Sequence, residues 1–287
     1  MNQLTGFAAA LIATSLILFP ATGAVSAPSR AQKTDVTSEY DPLSLNSSVA
    51  LVADADSHEV LYAKNPHLVL PIASITKLMT VVVTLEANLN LDQVITITHD
   101  DIDTYKNTHS RLKPGVEFTR RELIHMALMA SENRAASALG RTYPGGVRAC
   151  AEQMNKRAKQ LGMLSTNFTE TTGLSVDNKS SANDLARMVM HARRFELIRL
   201  YSTDPQASVQ SKQGKTLNFR NTNFLVRKGE WDIALQKTGF INEAGRCLVM
   251  QARLGGRNLV IVLLDALGSS ARTADAERIR RYVTKKF

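Results

Sequence analysis

The sequence predicts an α/β fold of the layered α+β kind, a central antiparallel sheet flanked by helices with a helical subdomain. Three observations carry this. The front, SVALVADADSHEVLYAKN, sets two short apolar runs around the turn-forming DADSH and reads as a β-hairpin. The middle places apolar residues at helical spacing. The last third alternates strand-like runs with Gly- and Asn-containing turns and closes on a helix, so the front hairpin would complete a sheet built mainly from C-terminal strands.

Taken in order, the chain opens on GFAAALIATSLILFPATGAVSA, Gly6 to Ala27, which is uncharged and apolar. Residues 1–27 are expected to be a secretory signal peptide, cleaved between Ala24 and Ala27. Pro20 and Gly23 interrupt the run short of the ~20 residues a membrane span needs, so no stable anchor is expected after cleavage. A polar linker over 28–45 leads into one domain, 46–287. The hairpin is followed by a helix starting at Ser74, and LDQVITITHDDI then alternates as a strand. Pro114-Gly115 makes a turn, and Thr119 with Glu122 forms a capping box for the helix RRELIHMALMA. That helix stops at Ser131-Glu132-Asn133 before NRAASALGR resumes, TYPGG ends it, and GVRACAEQMNKRAKQLGM is a third, amphipathic helix. Ser181 caps DLARMVMHARRF. TLNFRNTNFL, DIALQKTGF, GRCLVMQARLGG and RNLVIVLLDAL read as strands, and ARTADAERIRRYVTKK as the last helix.

The 287 residues are 44% hydrophobic and 21% charged, which is ordinary globular material. The formal net charge of +9 survives loss of residues 1–27, which carry no Asp, Glu, Lys or Arg. A basic exported protein is drawn to anionic surfaces, membrane or cell wall. Nucleic acid is not an expected partner, because only 6% of residues are aromatic and no basic run interleaves with them. The six histidines are scattered, so neither a metal nor a cofactor is called for. Cys150 and Cys247 are read as unpaired small core residues, with a disulfide as the alternative in an oxidising compartment.

The stretch PIASITKLMTVVVTLEA holds a hydroxyl and an amine, Ser74 and Lys77, three positions apart in an otherwise apolar run. At that spacing they share a helix face, so the amine can reach the hydroxyl. A buried lysine needs a partner or a depressed pKa. Ser131-Glu132-Asn133 falls at a break between helices, where side chains can project into a cleft. Lys237-Thr238-Gly239 ends a strand with a glycine that lets backbone approach a ligand closely. S-x-x-K, S-x-N and K-T-G, in that order and each in its helix, loop or strand, form the signature of serine penicillin-recognising enzymes.

PIASITKLMT, ALMASENRAASAL, YPGG, TNFTETTGLS, FRNTN and LQKTGFINEAGRCLVM extend the likeness over nearly the whole chain from about Leu45. The sequence resembles the low-molecular-mass penicillin-binding proteins, serine peptidases of the S11 kind, and among them the D-alanyl-D-alanine endopeptidase branch. The resemblance implies a penicillin-binding, serine β-lactamase-like transpeptidase fold and hydrolysis of peptidoglycan stem peptides in the periplasm, with β-lactams as covalent inhibitors and loose association with membrane or other wall enzymes. It implies Ser74 as nucleophile, Lys77 as general base, and Ser131 as the group passing a proton to the leaving amine. Asn133 would hold the substrate peptide, Lys237 would supply positive charge, Thr238 a hydroxyl for a carboxylate, and Gly239 the close backbone. The N–H groups of Ser74 and Phe240 would form an oxyanion hole. The ammonium of Lys237, together with burial, is expected to push the Lys77 pKa down.

A D-alanyl-D-alanine carboxypeptidase and a class A-like β-lactamase share this signature. The lactamase would need a carboxylate to hold its deacylating water, and Glu170 in NFTETTGLS is the candidate, read here as structural. The larger carboxypeptidases carry an extra β-rich domain and an amphipathic anchor not expected here, which favours the endopeptidase branch. A catalytically silent wall-binding module would show broken motifs, and all three are intact.

Overall fold

The predicted front hairpin forms as β1 (Ser47–Asp54) and β2 (Val60–Lys64) in the computed structural model, which describes residues 41–286. Its turn closes on Asp54, whose carboxylate accepts from the N–H groups of Asp56 at 2.8 Å and Ser57 at 3.0 Å. The short β3 (Leu70–Pro71) and a 3₁₀ turn over Ala73–Ile75 precede α1 (Thr76–Glu86). Ser74 therefore sits in a tight turn ahead of the α-helix, not at its first residue. Every residue of α1 from Thr76 to Thr84 is buried, which makes it a core helix.

The middle is helical. LDQVITITHDDI is not one strand: β4 (Val94–Thr96) is short, and Thr98 with Asp101 forms a capping box that winds His99–Asp101 into a 3₁₀ turn. β4 pairs with β5 (Glu117–Thr119), and the capping box of Thr119 and Glu122 opens α2 (Arg120–Met129). α3 (Asn133–Arg141) and α4 (Gly146–Gln160) follow. β6 (Lys179–Ser180) pairs with β3, Ser181 caps α5 (Ala182–Ala192), and α6 (Glu196–Thr203) continues it. A small hairpin, β7 (Gln206–Gln210) with β8 (Thr216–Arg220), comes next. TLNFRNTNFL is a strand only to Arg220, because the Asn223 side chain accepts from Leu225 N–H and starts α7 (Phe224–Lys228).

Three ten-residue strands, β9 (Asp232–Ile241), β10 (Gly245–Leu254) and β11 (Arg257–Ala266), then lead into α8 (Ala271–Lys286). The main sheet has the order β2-β1-β11-β10-β9, antiparallel throughout, so the first hairpin is seated beside the last strand as predicted. Alternate residues of each strand face opposite sides. Val49, Leu51, Val249, Val260 and Val262 join one core with α1 and α5; Ala50, Val52, Met250, Ile261 and Leu263 join another with Ala276, Ile279 and Val283 of α8. Helices on both faces explain why the central strands read as continuous apolar runs. This leaves β9 at a sheet edge, against the turn that carries Ser74.

Most of the predicted linker and all of the predicted signal peptide lie outside the described residues. Leu45 is buried, and Asp41 accepts from the Tyr62 hydroxyl at 2.6 Å and from Lys64 at 3.0 Å. Cys150 and Cys247 are both free and buried, and burial pushes each thiol up to about 12. Among the described residues no helix is long and apolar enough to cross a membrane.

Candidate active site

Two glycines clasp the turn that carries Ser74. A Cβ on Gly173 would fall 2.0 Å from the carbonyl oxygen of Ala73, and one on Gly239 would fall 2.8 Å from that of Ile72 and 3.2 Å from Ser74 N. The loop before α5 and the edge strand β9 thus press on the turn from two directions, closer than any side chain allows. Ala73 itself sits at φ +48°, a left-handed conformation that costs a non-glycine residue about 1–3 kcal/mol. The close approach at Gly239 sets its backbone beside Ser74 N, and Phe240, next along β9, lines the same cleft as Ser74.

Lys77 reaches Ser74 as the spacing implies, with Nζ 2.8 Å from Oγ. Its side chain is fully buried, and Nζ also donates to Asn133 Oδ1 at 2.8 Å and to the Thr172 carbonyl at 2.5 Å. Burial lowers its pKa to about 8, while Glu170, Glu132 and Asp103 pull it back upward. The expected cause was in part the ammonium of Lys237. Desolvation is the largest cause and the carboxylates oppose it, while the repulsion between the two amines acts on Lys237 as well.

Lys237 is buried too, and its Nζ donates to Ser131 Oγ at 2.8 Å and to the Thr238 carbonyl at 2.8 Å. Burial, then the positive charges of Lys77 and Arg272, hold its pKa well below the usual lysine range. Ser131 lies between α2 and α3 at φ +58°, which aims its hydroxyl across the gap toward β9. Thr238 and Thr222 share a hydroxyl–hydroxyl bond of 2.6 Å.

The eight predicted residues gather around one cleft of about 400 Å³, lined by Ser74, Ser131, Asn133, Thr238, Gly239 and Phe240, with both lysines buried behind its wall. Phe240 is half exposed on the rim. Asn133 is engaged at both ends: a lysine only donates, so Oδ1 faces Lys77, and Nδ2 donates to Thr108 Oγ1 at 2.8 Å. A substrate amide would have to take the place of Thr108. Glu170 takes no place in the cleft wall. It is buried in the loop before β6 and accepts from Thr172 N–H and Oγ1, Gly173 N–H and Asn178 Nδ2.

Thr172, Thr222 and Arg272 belong to the site but were not singled out in the sequence. The first two lie inside TNFTETTGLS and FRNTN, where a threonine next to a motif glycine or asparagine was the available signal. Arg272, which lines the cleft and donates to the carbonyls of Gly239 and Cys247, sits at the start of a helix that carries three more arginines, and nothing marks it there.

The chain is similar to known proteins. The family model described as D-alanyl-D-alanine carboxypeptidase, peptidase S11, matches residues 34–268. A D-alanyl-D-alanine endopeptidase of Pseudomonas aeruginosa is 45% identical over 240 residues, covering 83% of this chain and 77% of its own. That of Escherichia coli is 40% identical over 258 residues, covering 90% and 83%. The crystal structure of the Streptomyces K15 DD-transpeptidase superposes with a TM-score of 0.77 at 28% identity, over 83% of this chain and 97% of that one. With a family model matching residues 34–268 and relatives 45% and 40% identical over most of the chain, the chain belongs to the peptidase S11 family of D-alanyl-D-alanine carboxypeptidases.

Proposed function

We propose that this protein is a serine-type D,D-peptidase of peptidoglycan, an endopeptidase that hydrolyses the bond from D-alanine to a diamino acid in cross-linked stem peptides. The observation that carries the reading is the hydroxyl of Ser74 held 2.8 Å from the amine of a wholly buried lysine, in an open cleft. Relatives named D-alanyl-D-alanine endopeptidase, 45% and 40% identical, favour the endopeptidase over the carboxypeptidase reading.

In the neutral form, the Lys77 amine has two N–H donors and one lone pair. Asn133 Oδ1 and the Thr172 carbonyl can only accept, so they take the two N–H groups and leave the lone pair to Ser74. As Ser74 Oγ attacks the D-alanyl carbonyl, its proton passes to Nζ. The N–H groups of Ser74 and Phe240 receive the developing oxyanion. Ser131, hydrogen-bonded to Lys237, hands its proton to the leaving amine and takes the one now on Lys77, the C–N bond breaks, and an ester on Ser74 remains for water to hydrolyse. Lys237, Arg272 and the Thr222–Thr238 hydroxyl pair make one end of the cleft suited to a carboxylate. β-Lactams would acylate Ser74 by the same attack, and export by residues 1–27 would place the enzyme in the periplasm.

The lactamase reading is disfavoured because both oxygens of Glu170 are taken by protein donors, leaving no acceptor for a deacylating water. Intact-protein mass spectrometry after penicillin treatment tests the proposal. A penicilloyl adduct on Ser74 that persists for minutes is expected. No adduct, or one on another residue, removes the nucleophile assignment, and rapid turnover without a trapped species returns the lactamase.

A further inference from the structure

We propose that the buried pair Glu170 and Asn178 is a positioning clamp that aims the lone pair of Lys77 at Ser74 by fixing the turn that carries the Thr172 carbonyl. The inference rests on the reading of Ser74 and Lys77 as nucleophile and base.

A carboxylate in a protein interior is costly unless donors surround it. Glu170 Oε2 accepts from Thr172 N–H and Oγ1, both at 2.5 Å, and Oε1 from Gly173 N–H at 2.7 Å and Asn178 Nδ2 at 2.6 Å. Asn178, fully buried, completes the clamp by accepting at Oδ1 from Thr169 N–H at 2.7 Å. Every one of these bonds stays within residues 169–178. The hydrogen bonds of Glu170 are all spent on the loop, so they act through the shape of that loop, and only its charge acts on Lys77 directly.

The loop touches the catalytic helix and the turn before it at four places. Thr172 O accepts from Lys77 at 2.5 Å, Thr171 O from Thr80 Oγ1 at 2.8 Å, and Asn178 O from Ile72 N–H at 3.0 Å, while Gly173 abuts the carbonyl of Ala73. The Thr172 carbonyl is one of only two acceptors that turn the neutral amine toward Ser74. If the clamp loosens, that carbonyl drifts and the amine is free to rotate its lone pair away. Displacements of about 1 Å at a reacting group can cost on the order of 10²-fold in rate.

Four charged groups face Lys77: Glu170 from the loop, Glu132 at the head of α3, Asp103 after the 3₁₀ turn, and Lys237 from β9. The negative charge of Glu170 favours the protonated amine, so its removal has a second, separable consequence. Glu170→Gln should lower the alkaline plateau of acylation and move the midpoint of the pH profile down. Asn178→Ala should lower the plateau without the downward move, because the carboxylate stays.

The test follows the second-order rate of Ser74 acylation by a fluorescent penicillin from pH 6 to 10, in wild type, Glu170→Gln and Asn178→Ala. Folding is checked by circular dichroism, and the acyl-enzyme lifetime is followed in the same samples. A plateau reduced about tenfold or more in both variants, with the acyl-enzyme lifetime unchanged, is expected. A folded variant whose plateau stays within twofold of wild type overturns the clamp. So does a Glu170→Gln protein that acylates normally but deacylates slowly, since Glu170 would then act on water. If Glu170→Gln fails to fold, the Asn178→Ala plateau decides alone. Failure of the underlying reading looks different: wild type would carry the label away from Ser74, or Ser74→Ala would still label.

Discussion

An ammonium group with no water around it needs acceptors, and Lys77 has three within 2.8 Å of Nζ. They tolerate the protonated form but also prepare the neutral one, and burial brings the pKa to about 8. The sign follows directly. Below that value the amine is protonated and cannot accept the Ser74 proton, so acylation should rise with pH through about 8 and level off above it. Rates of acylation measured from pH 6 to 10 check this, and a flat profile contradicts Lys77 as the base. Stability should move the same way: between about 8 and the ordinary 10.5 the unfolded chain holds a proton that the folded one has lost, so unfolding becomes harder as pH rises through that window. Removing the amine removes the base, and Lys77→Ala should lose ~10²–10⁴-fold in acylation while keeping its circular dichroism. Lys77→Arg should not restore it, because a guanidinium stays protonated. Near wild-type acylation in either variant reassigns the base.

At the scale of elements, the nucleophile turn is held less by its own sequence than by two backbones pressed on it. Gly173 has φ +82° and no room, with the Ala73 carbonyl 2.0 Å from a would-be Cβ, whereas Gly239 is in ordinary strand conformation with its nearest atom at 2.8 Å. Gly173→Ala should therefore cost about 3 kcal/mol or more, the upper end of single substitutions. Gly239→Ala should cost stability too, but less, because its methyl meets the Ile72 carbonyl at 2.8 Å without a left-handed φ, and it should acylate slowly, since that methyl also faces Ser74 N at 3.2 Å. Thermal melts and penicillin labelling of both variants separate the two effects; equal losses of stability would contradict the difference in strain. The strands β9, β10 and β11 and the capping box of Thr119 and Glu122 were legible in the sequence, because apolar runs and short local hydrogen bonds decide them; the box of Thr98 and Asp101 was hidden in a stretch that alternates like a strand. The sequence reading missed α6 and β7 and took the start of α7 for strand. In β7 only Val209 is buried, so no apolar pattern marks it, and α7 begins where one Asn223 side chain caps the chain. The motifs made Ser74, Lys77, Ser131 and Lys237 readable residue by residue. The carbonyl of Thr172 was not, because a backbone atom has no letter of its own.

Over the whole molecule, the cleft opens between the edge of the main sheet and the helical part, and both sides offer cations. Arg272 stands on the sheet side; Lys106 stands on the other, paired with Glu243 of the β9–β10 turn at 2.5 Å. Phe240 is half exposed on the rim, with the Arg246 guanidinium 4.7 Å from its ring centre. A net charge of +9 surrounds this, and such a charge should help hold the protein on an anionic wall polymer, more weakly as salt rises. These features suit a leaving group larger than one alanine. A carboxypeptidase must grip the free carboxylate of a terminal D-alanine, while an endopeptidase must also admit a neighbouring stem through the side-chain amine of its diamino acid. That diamino acid carries its own α-carboxylate, which on the proposed reading would be bound by the Lys237, Thr238 and Thr222 end of the cleft in place of the terminal one, with the rest of the stem toward the exposed Phe240. Cross-linked muropeptide dimers should accordingly be cleaved to monomers with a higher kcat/KM than monomeric pentapeptides lose D-alanine, both measured on one preparation. A ratio favouring the pentapeptide would make the enzyme a carboxypeptidase and leave the chemistry at Ser74 untouched, because that chemistry depends on the acyl side of the bond and the preference only on what departs.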